Sequence, residues 1–311
     1  MKTTVIHHSA DYDGVFCREI ARKFLPDAEL IGWDFPDQPL PLPDGQIYVL
    51  DLPIDRVFGF DFNDPKTVPL RLEENWPFIW IDHHKSSIET HPTSIPGYRI
   101  DGVAACRLAW QWFMRGYSSN QEMAVVNNLS GHLPTDVQFK NREVSEPLAV
   151  RLAGEYDVWD HRGDGDLEFQ FGLDAMALTP AGWSAMLNDN QEFTKQAVFV
   201  GGYAMACYAK RDADVMRTRS FLLDWEGLKF LALNTARCNS NTFAALDHPE
   251  TGHDALMAFA FTGKFWNVSL YHAAHRKEID LSLIAKKHGG GGHRGACGFR
   301  ADAFTRGRNF V

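Results

Sequence analysis

The sequence contains neither a long hydrophobic run nor an excess of positive charge. Its most apolar stretch, 197–209, is interrupted by Gly201-Gly202 and is shorter than the roughly 20 residues that a membrane-spanning helix needs. Acidic residues number 40 against 31 Lys and Arg, so the formal net charge is −9, and a protein that coats long nucleic acid through a basic surface is not expected. The first residues lack the apolar core of a signal peptide, and we therefore expect a soluble, cytoplasmic protein without membrane partners.

Closely spaced cysteine pairs are absent as well. The five cysteines are far apart in the sequence, and no two form a C-x-x-C motif: Cys17, Cys106, Cys207, Cys238 and Cys297. This distribution is typical of reduced cysteines in the core of a cytosolic protein. Internal repeats and low-complexity segments are also lacking, and the composition is that of an ordinary globular protein.

Length and periodicity predict two α/β domains. A chain of 311 residues exceeds the size at which a single core usually stops growing. Strands and helices alternate in the first half, beginning with strand Thr3–Ile6 and helix Val15–Leu25, and this order predicts a parallel sheet with helices on both faces. We place this domain at 1–183, a helical connector at 184–224, and a smaller mixed α/β domain at 225–311.

Acidic and histidine side chains follow three of the predicted strands. The segments that follow them are His7-His8-Ser9-Ala10-Asp11-Tyr12-Asp13-Gly14, then Asp51, then Asp82-His83-His84-Lys85. The carboxyl ends of parallel strands form one crevice, which is where ligands bind in such sheets. Imidazole and carboxylate together suit borderline cations such as Mn²⁺. The sequence therefore predicts a hydrolytic metal site at this edge of the sheet.

The segment from His7 to Asp13 has two interpretations. Alternate residues of an extended segment face the same way, so Asp11 and Asp13 are able to reach one site together with His7. An Asp that precedes a helix is also a common N-cap residue. The other two segments of the same form favour metal ligation.

Asp51 alone indicates a metal site less specifically than the segment Asp82-His83-His84 does. Asp51 stands alone after its strand, so a turn or capping role would explain it in isolation. Its position between two ligand-bearing strands allows its carboxylate to bridge two ions, which lie about 3.5–4 Å apart in two-metal sites. His83 and His84 face opposite ways in an extended chain, so we expect one to be a ligand and the other to lie beside the substrate or in a supporting position.

A further carboxylate ligand is expected from later in the first domain. Two segments offer one: Asp157 in Glu155-Tyr156-Asp157-Val158-Trp159, and Asp136 in Leu133-Pro134-Thr135-Asp136. We favour Asp157, because it ends a helical segment and lies among aromatic and polar residues suited to a pocket wall. Trp159, Trp110 and Trp112 are able to stack on a base, although core packing is the more common role of tryptophan.

The glycine run Gly289-Gly290-Gly291-Gly292 followed by His293 is the second strong signal. Glycines let backbone amides approach an oxyanion closely, and His293 is able to bind a phosphate. A flexible linker is the alternative, but a packed strand follows this run immediately. We therefore predict substrate contacts at Gly290, Gly291, Gly292 and His293, with Arg276, Arg107 and Arg294 as further candidates for phosphate binding.

In this order, the segments HHSADYDG, VLD, IDHHKS, EYDVWD and GGGGHRGACGF resemble the motifs of the DHH/DHHA1 phosphoesterases. The resemblance covers nearly the whole chain and is greatest for the short-oligonucleotide nanoRNase branch. It implies two Mn²⁺ ions: His7 and Asp11 on one, Asp13, His83 and Asp157 on the other, and Asp51 between them. It also implies that His84, which we pair with Asp82 as catalytic residues, lies next to the chemistry. One departure concerns the Asp-Thr-Gly motif of many relatives, which Thr135-Asp136-Val137 matches imperfectly.

These features predict a two-domain phosphodiesterase that hydrolyses short RNA or DNA with two Mn²⁺ ions, for which Co²⁺ is an expected substitute. Alternative substrates are linear or cyclic dinucleotides, 3′-phosphoadenosine 5′-phosphate and inorganic polyphosphate. The non-enzymatic alternative is a nucleotide-binding regulatory module, which the complete ligand set disfavours. A homodimer is a further association that the sequence allows.

Overall fold

Strand β1 (Thr3–His8) and helix α1 (Tyr12–Phe24) form the first strand–helix pair of the alternating pattern. The structure, a computed structural model, describes residues 2–35, 37–64, 78–114, 145–236, 238 and 240–302. The Asp11 side chain caps α1 by accepting a hydrogen bond from the Gly14 N–H at 3.0 Å. This cap explains why the helix begins three residues before the predicted Val15.

The first sheet consists of four parallel strands in the order β2-β1-β3-β4. The remaining three strands are β2 (Glu29–Trp33), β3 (Gln46–Leu50) and β4 (Phe78–Ile81). Their register aligns the strand ends, because His8 pairs with Trp33 and Leu50 pairs with both His7 and Ile81. The residues that follow the four strands therefore emerge at one edge of the sheet.

Apolar side chains cover both faces of this sheet. One cluster contains Tyr48, Leu50 and Ile79, and the other contains Val49 and Trp80. The alternation of a strand sends neighbouring residues to opposite faces. Burial on both faces agrees with the predicted α/β class with a parallel sheet. The helices of this part that follow α1 are α2 (Ile54–Phe58), α3 (Lys85–Thr90), α4 (Ala105–Met114), α5 (Leu148–Asp157), α6 (Asp166–Ala175), α7 (Pro180–Leu187) and α8 (Gln191–Arg219).

The second sheet is mixed and has six strands in the order β5-β6-β7-β8-β10-β9. They are β5 (Phe221–Trp225), β6 (Leu228–Asn234), β7 (Ala255–Phe261), β8 (Trp266–His272), β9 (Gly291–His293) and β10 (Ala296–Ala301). Only β6 and β7 pair in parallel, and β7 and β8 form the predicted antiparallel hairpin. Helix α9 (Ser282–Lys287) leads into the glycine loop.

The chain divides into two compact units, Met1–Ala204 and Met205–Val311. The division falls inside α8. The segment 184–224, predicted as a helical connector, contains all of α8 but also most of strand β5, which pairs with β6. Among the described residues, no helix has both the length and the apolar character needed to cross a membrane.

Candidate metal centre

Four strand ends deliver the polar side chains of the N-terminal site. His8 is the last residue of β1, and an aspartate directly follows each of the other three strands: Asp34, Asp51 and Asp82. Asp51 and Asp82 were predicted from the sequence, whereas Asp34 was not, although it stands after its strand in the same way. The signal was therefore present in the sequence.

His8 lies among three carboxylates. Its Nδ1 is 2.9 Å from Asp11 Oδ2 and 3.3 Å from Asp51 Oδ2, and its Nε2 is 3.4 Å from Asp34 Oδ1. Burial disfavours the charged imidazole, but the close contacts with Asp11 and Asp51 outweigh this and raise the pKa of His8 to about 11. His8, Asp11 and Asp51 form one group of donor atoms close enough to share a cation.

The structure places His8, not the predicted His7, in this group. The His7 side chain is buried and its Nδ1 lies 2.7 Å from the backbone oxygen of His8, while its ring lies near Gly32 of the neighbouring strand. Burial lowers the pKa of His7. Because β1 continues as a regular strand to His8, the two histidines point to different surroundings. Only His8 reaches the acids.

Asp51 occupies the position between two groups of donors. Its Oδ2 faces His8, and its Oδ1 lies 3.3 Å from His83 Nε2 and 3.9 Å from His84 Nδ1. The residue has a positive φ of 60°, an unusual backbone conformation for a non-glycine residue. Burial acts to raise the pKa of Asp51, but contacts with His8 and His83 reverse the direction and lower it. This geometry supports the predicted bridging position.

His83 joins the second group of donors. Its Nε2 lies 3.3 Å from Asp157 Oδ2 and 3.6 Å from Asp13 Oδ2. Asp157 is the last residue of α5, and it is the favoured ligand of the two carboxylates considered above. Burial, aided by the neighbouring Asp51 carboxylate and opposed by His83, raises the pKa of Asp157 to about 7. The rival Asp136 lies outside the described residues.

Asp13 has a structural role besides its place in this group. Its two carboxylate oxygens accept hydrogen bonds from the backbone N–H groups of Ala105 and Cys106, at 2.9 and 2.7 Å, in the first turn of α4. Burial and repulsion by Asp51 and Asp157 raise the pKa of Asp13 well above its usual range. The buried Asp13 carboxylate therefore accepts hydrogen bonds from the first turn of α4 and also belongs to the second group of donors.

Asp82 supports His84. Its Oδ1 lies 2.7 Å from His84 Nδ1 and also accepts a hydrogen bond from the His83 backbone N–H at 2.8 Å. Burial acts to lower the pKa of His84, and the adjacent Asp82 carboxylate raises it. Because Nδ1 faces the acid, Nε2 is the nitrogen that remains for other partners. Asp82 itself is fully buried and orients the imidazole.

The donor set fits a divalent cation. Several buried atoms of the cluster have no partner with hydrogen-bond geometry within the described part of the chain: both ring nitrogens of His8, both carboxylate oxygens of Asp51, and Asp157 Oδ2. Leaving buried polar atoms without partners is costly unless something else satisfies them. The donors form three overlapping groups: His8 with Asp11 and Asp51, Asp51 with His83 and His84, and Asp13 with His83 and Asp157. Because neighbouring groups share Asp51 or His83, together they would hold two cations.

The predicted substrate loop lies in the C-terminal unit, where two of its glycines are required by packing. A Cβ atom on Gly290 would lie 2.0 Å from the Gly298 backbone oxygen, and one on Gly292 would lie 2.7 Å from Cys297 Cα. Gly291 faces open space and His293 is exposed. Gly290 also lines a cavity of about 570 Å³ in this unit, which offers room for part of a ligand.

Two of the three predicted arginines pair with acids. Arg107 is buried on α4, and its Nε donates to both oxygens of Glu146 at 3.1 Å. Arg276 pairs with Asp254 and donates to Glu278 at 2.6 Å. Both guanidinium groups are therefore already engaged by carboxylates. Arg294 donates to the backbone oxygen of Glu278.

Trp159 differs from the other two tryptophans considered above. Trp110 and Trp112 are buried in the core, whereas Trp159 is 62% exposed and has a φ of 56°. Its ring lies 5.3 Å from that of His161, centroid to centroid. Core packing therefore explains Trp110 and Trp112 but does not explain Trp159, which stands two residues after Asp157.

Comparisons with known proteins show similarity at the level of fold. No protein-family model matches the sequence, and no curated protein matches it. Among solved structures, the DHH domain of a protein assigned to a family of ribosomal proteins matches with 10% identity and a TM-score of 0.50, over 96% of this chain and 82% of that one. A pGpG-specific phosphodiesterase, PggH, from Vibrio cholerae matches with 12% identity and a TM-score of 0.43, over 97% and 94%. The exonuclease RecJ bound to manganese matches with 13% identity and a TM-score of 0.45, over 97% and 86%. The chain thus shares the fold of a DHH-domain protein.

Proposed function

We propose that this protein is a phosphodiesterase of the DHH type that uses two divalent metal ions, with Mn²⁺ the expected ions, to hydrolyse short oligonucleotides. The observation that carries the proposal is the position of Asp51, whose two unpartnered, buried oxygens face His8 on one side and His83 on the other. A carboxylate shared in this way is the feature expected of a two-metal hydrolase.

Each group of donors has a defined part in the proposed site. His8, Asp11 and Asp51 would hold one ion, and Asp51, Asp13, His83 and Asp157 the other. Asp34, which lies beside His8 Nε2, is an additional candidate. When bound, the two ions would activate water for attack and neutralise charge on the phosphoryl group.

His84 is the proton donor in this proposal. Asp82 holds its Nδ1, so Nε2 is directed away from the acid and is available to the substrate. The raised pKa of His84 favours the protonated imidazole, which would donate to a phosphoryl oxygen or to the leaving oxygen. His84 is 30% exposed at its side chain, so a substrate is able to reach it.

Two observations support a short nucleotide substrate. The exposed Trp159 ring next to Asp157 offers a surface for stacking a base. The net charge of −9 disfavours a grip along a long phosphate backbone, since such a grip depends on basic side chains. The nanoRNase-like activity is therefore preferred over polyphosphate hydrolysis, because polyphosphate offers no base to stack.

The test is a substrate panel with defined metal content. Chelator-treated protein is assayed without metal and with Mn²⁺, Co²⁺ or Mg²⁺ on a labelled dinucleotide, a longer RNA, a cyclic dinucleotide, 3′-phosphoadenosine 5′-phosphate and polyphosphate. We expect turnover only with added metal and the highest kcat/KM on the dinucleotide. Asp51→Asn should be inactive, and Asp27→Asn, at an exposed position outside the cluster, should match the unaltered protein. Undiminished turnover in the presence of chelator would refute the two-metal mechanism.

A further inference from the structure

A second cluster of metal-binding side chains lies in the C-terminal unit, apart from the residues discussed so far. It consists of Asp247, His253 and His275, whose donor atoms all lie within 4.8 Å of one another. Asp247 belongs to the segment between β6 and β7, His253 precedes β7, and His275 follows β8. Because β7 and β8 pair with Ala255 opposite His272, the two histidines emerge at the same end of the hairpin.

The distances suit a single ion. Asp247 Oδ1 lies 2.9 Å from His253 Nε2 and 4.0 Å from His275 Nδ1. The two imidazole rings meet edge to face, with centroids 5.1 Å apart. Two imidazoles and one carboxylate form a donor set typical of Zn²⁺ sites, and they leave one coordination position for water.

The surroundings of the donors hold them in place. His275 Nε2 lies 3.0 Å from the backbone oxygen of His253, which only accepts, so Nε2 carries the proton and Nδ1 keeps its lone pair. Asp247 Oδ2 accepts a hydrogen bond from the Ala274 N–H at 3.0 Å, which leaves Oδ1 directed at the histidines. Backbone partners of this kind orient the ligands in metal sites.

The cluster also contains buried atoms that lack partners. Nδ1 of His253 and Nδ1 of His275 are both buried and have no hydrogen-bond partner within the described ranges of the chain. The His253 side chain is completely buried, and the side chains of Asp247 and His275 are 12% and 22% exposed, which gives an ion a path from solvent. An ion bound at His275 Nδ1 would satisfy a nitrogen for which the described residues provide no hydrogen bond.

We propose that Asp247, His253 and His275 bind one Zn²⁺ ion in the C-terminal unit. The ion would join the segment before β7 to the segment 273–279 after β8. That second segment adjoins the turn after the glycine loop, because the Leu281 N–H donates to the Arg294 oxygen and the His272 N–H donates to the Gly295 oxygen. Binding a metal to the folded protein alone stabilises the fold.

The test counts bound zinc in full-length variants. An Asp51→Asn background weakens binding at the N-terminal cluster, and His275→Gln keeps an amide donor for the His253 oxygen while removing the ligand nitrogen. His248→Gln is the matched control, because His248 is exposed, lies in the same segment as Asp247 and does not belong to the cluster. Chelator-treated proteins are titrated with Zn²⁺ alone, and bound metal is determined by elemental analysis after gel filtration.

We expect the His275→Gln protein to bind one equivalent of zinc less than the His248→Gln protein and to lose the zinc-dependent rise in Tm. Asp247→Asn should have the same effect. If circular dichroism shows that His275→Gln does not fold, the zinc stoichiometry of Asp247→Asn is compared with that of the control instead. Equal zinc stoichiometry in the cluster variants and the control would overturn the proposal and leave the cluster as a hydrogen-bonded link between two segments. The outcome is independent of activity, so it stands or falls separately from the proposed phosphodiesterase.

Discussion

At the scale of single residues, the direction of one side chain on β1 decides which histidine joins the cluster. His7 and His8 are both buried, but only His8 lies beside Asp11 and Asp51. His7 instead contacts the His8 backbone oxygen. The two histidines are therefore expected to respond differently to the same substitution.

His8→Asn should reduce metal affinity and turnover by more than about 100-fold, since loss of residues that only support metal ligands already costs about 10- to 100-fold. His7→Asn should keep its metal and lower the free energy of unfolding by about 1–3 kcal/mol, because it disturbs a buried polar contact. Metal analysis and urea unfolding of both variants provide the comparison. Loss of metal in His7→Asn alone would restore the assignment made from the sequence.

The pKa values of the cluster predict that metal binding releases protons. His8, with a pKa of about 11, is protonated at neutral pH without metal, and Asp157, with a pKa of about 7, takes up a proton as the pH falls. A cation has to displace these protons, so affinity should decrease from about pH 8 to about pH 6. Calorimetric titration with Mn²⁺ in buffers of different ionisation enthalpy measures the release. Heats that do not change with the buffer would contradict the prediction.

At the scale of elements, the end of α5 combines a ligand with an exposed aromatic ring. The helix ends at Asp157, and the chain passes through Trp159 in the left-handed region. For a bulky residue this conformation costs roughly 1–3 kcal/mol, and the ring gains little burial in return. Such a combination is typical of functional positions, and it suggests two experiments.

Trp159→Ala should lower kcat/KM for a dinucleotide by about 5- to 150-fold, because stacking of a base on an aromatic ring contributes about 1–3 kcal/mol. A chromogenic phosphodiester that has no base should be hydrolysed at nearly the normal rate. Phe199→Ala removes another strongly exposed ring, on α8, and serves as the control. Equal losses on both substrates would indicate that Trp159 supports the structure rather than the base.

Asp157→Asn and Asp136→Asn distinguish the two carboxylates considered for the fourth motif. Asp157 lies 3.3 Å from His83, so its substitution should remove metal and activity together. Asp136→Asn should leave metal occupancy unchanged. The measurement is metal content alongside the rate on a dinucleotide. The opposite pattern would assign the motif to Thr135-Asp136-Val137.

At the scale of the whole molecule, the ligands of the N-terminal cluster and the glycine loop belong to different compact units. All donors of the N-terminal cluster come before residue 160, whereas His293 lies in β9 of the second unit. If the loop serves only to hold the substrate, a substitution in the loop should leave the binding of the metal ions unchanged. His293 is exposed and therefore open to a ligand.

His293→Ala should keep full metal occupancy and lose about 100-fold in rate on a dinucleotide, because misplaced reactants lose much of the benefit of proximity. A generic chromogenic phosphodiester, which needs less positioning, should be affected less. Kinetics on both substrates with parallel metal analysis tests this. Loss of metal, or the same loss on both substrates, would mean that His293 takes part in the chemistry.

The sequence by itself determined the α/β class, the parallel sheet and the edge at which the acids gather. These follow from local patterns, because short apolar runs form strands and polar residues that follow parallel strands emerge together. It also identified Asp51, His83 and Asp157, and in the structure His83 lies 3.3 Å from each of the two carboxylates. The predicted start of α1 at Val15 was late by three residues, since the start depends on the cap formed by Asp11.

Only the tertiary structure decided which side chains meet. It selected His8 over His7, added Asp34, and paired Arg107 with Glu146 and Arg276 with Asp254. It also brought Asp247, His253 and His275 together, although they are separated by up to 28 positions in a part of the sequence without a metal motif. The reason is physical: side-chain direction and long-range pairing depend on strand register and burial, which no local pattern encodes.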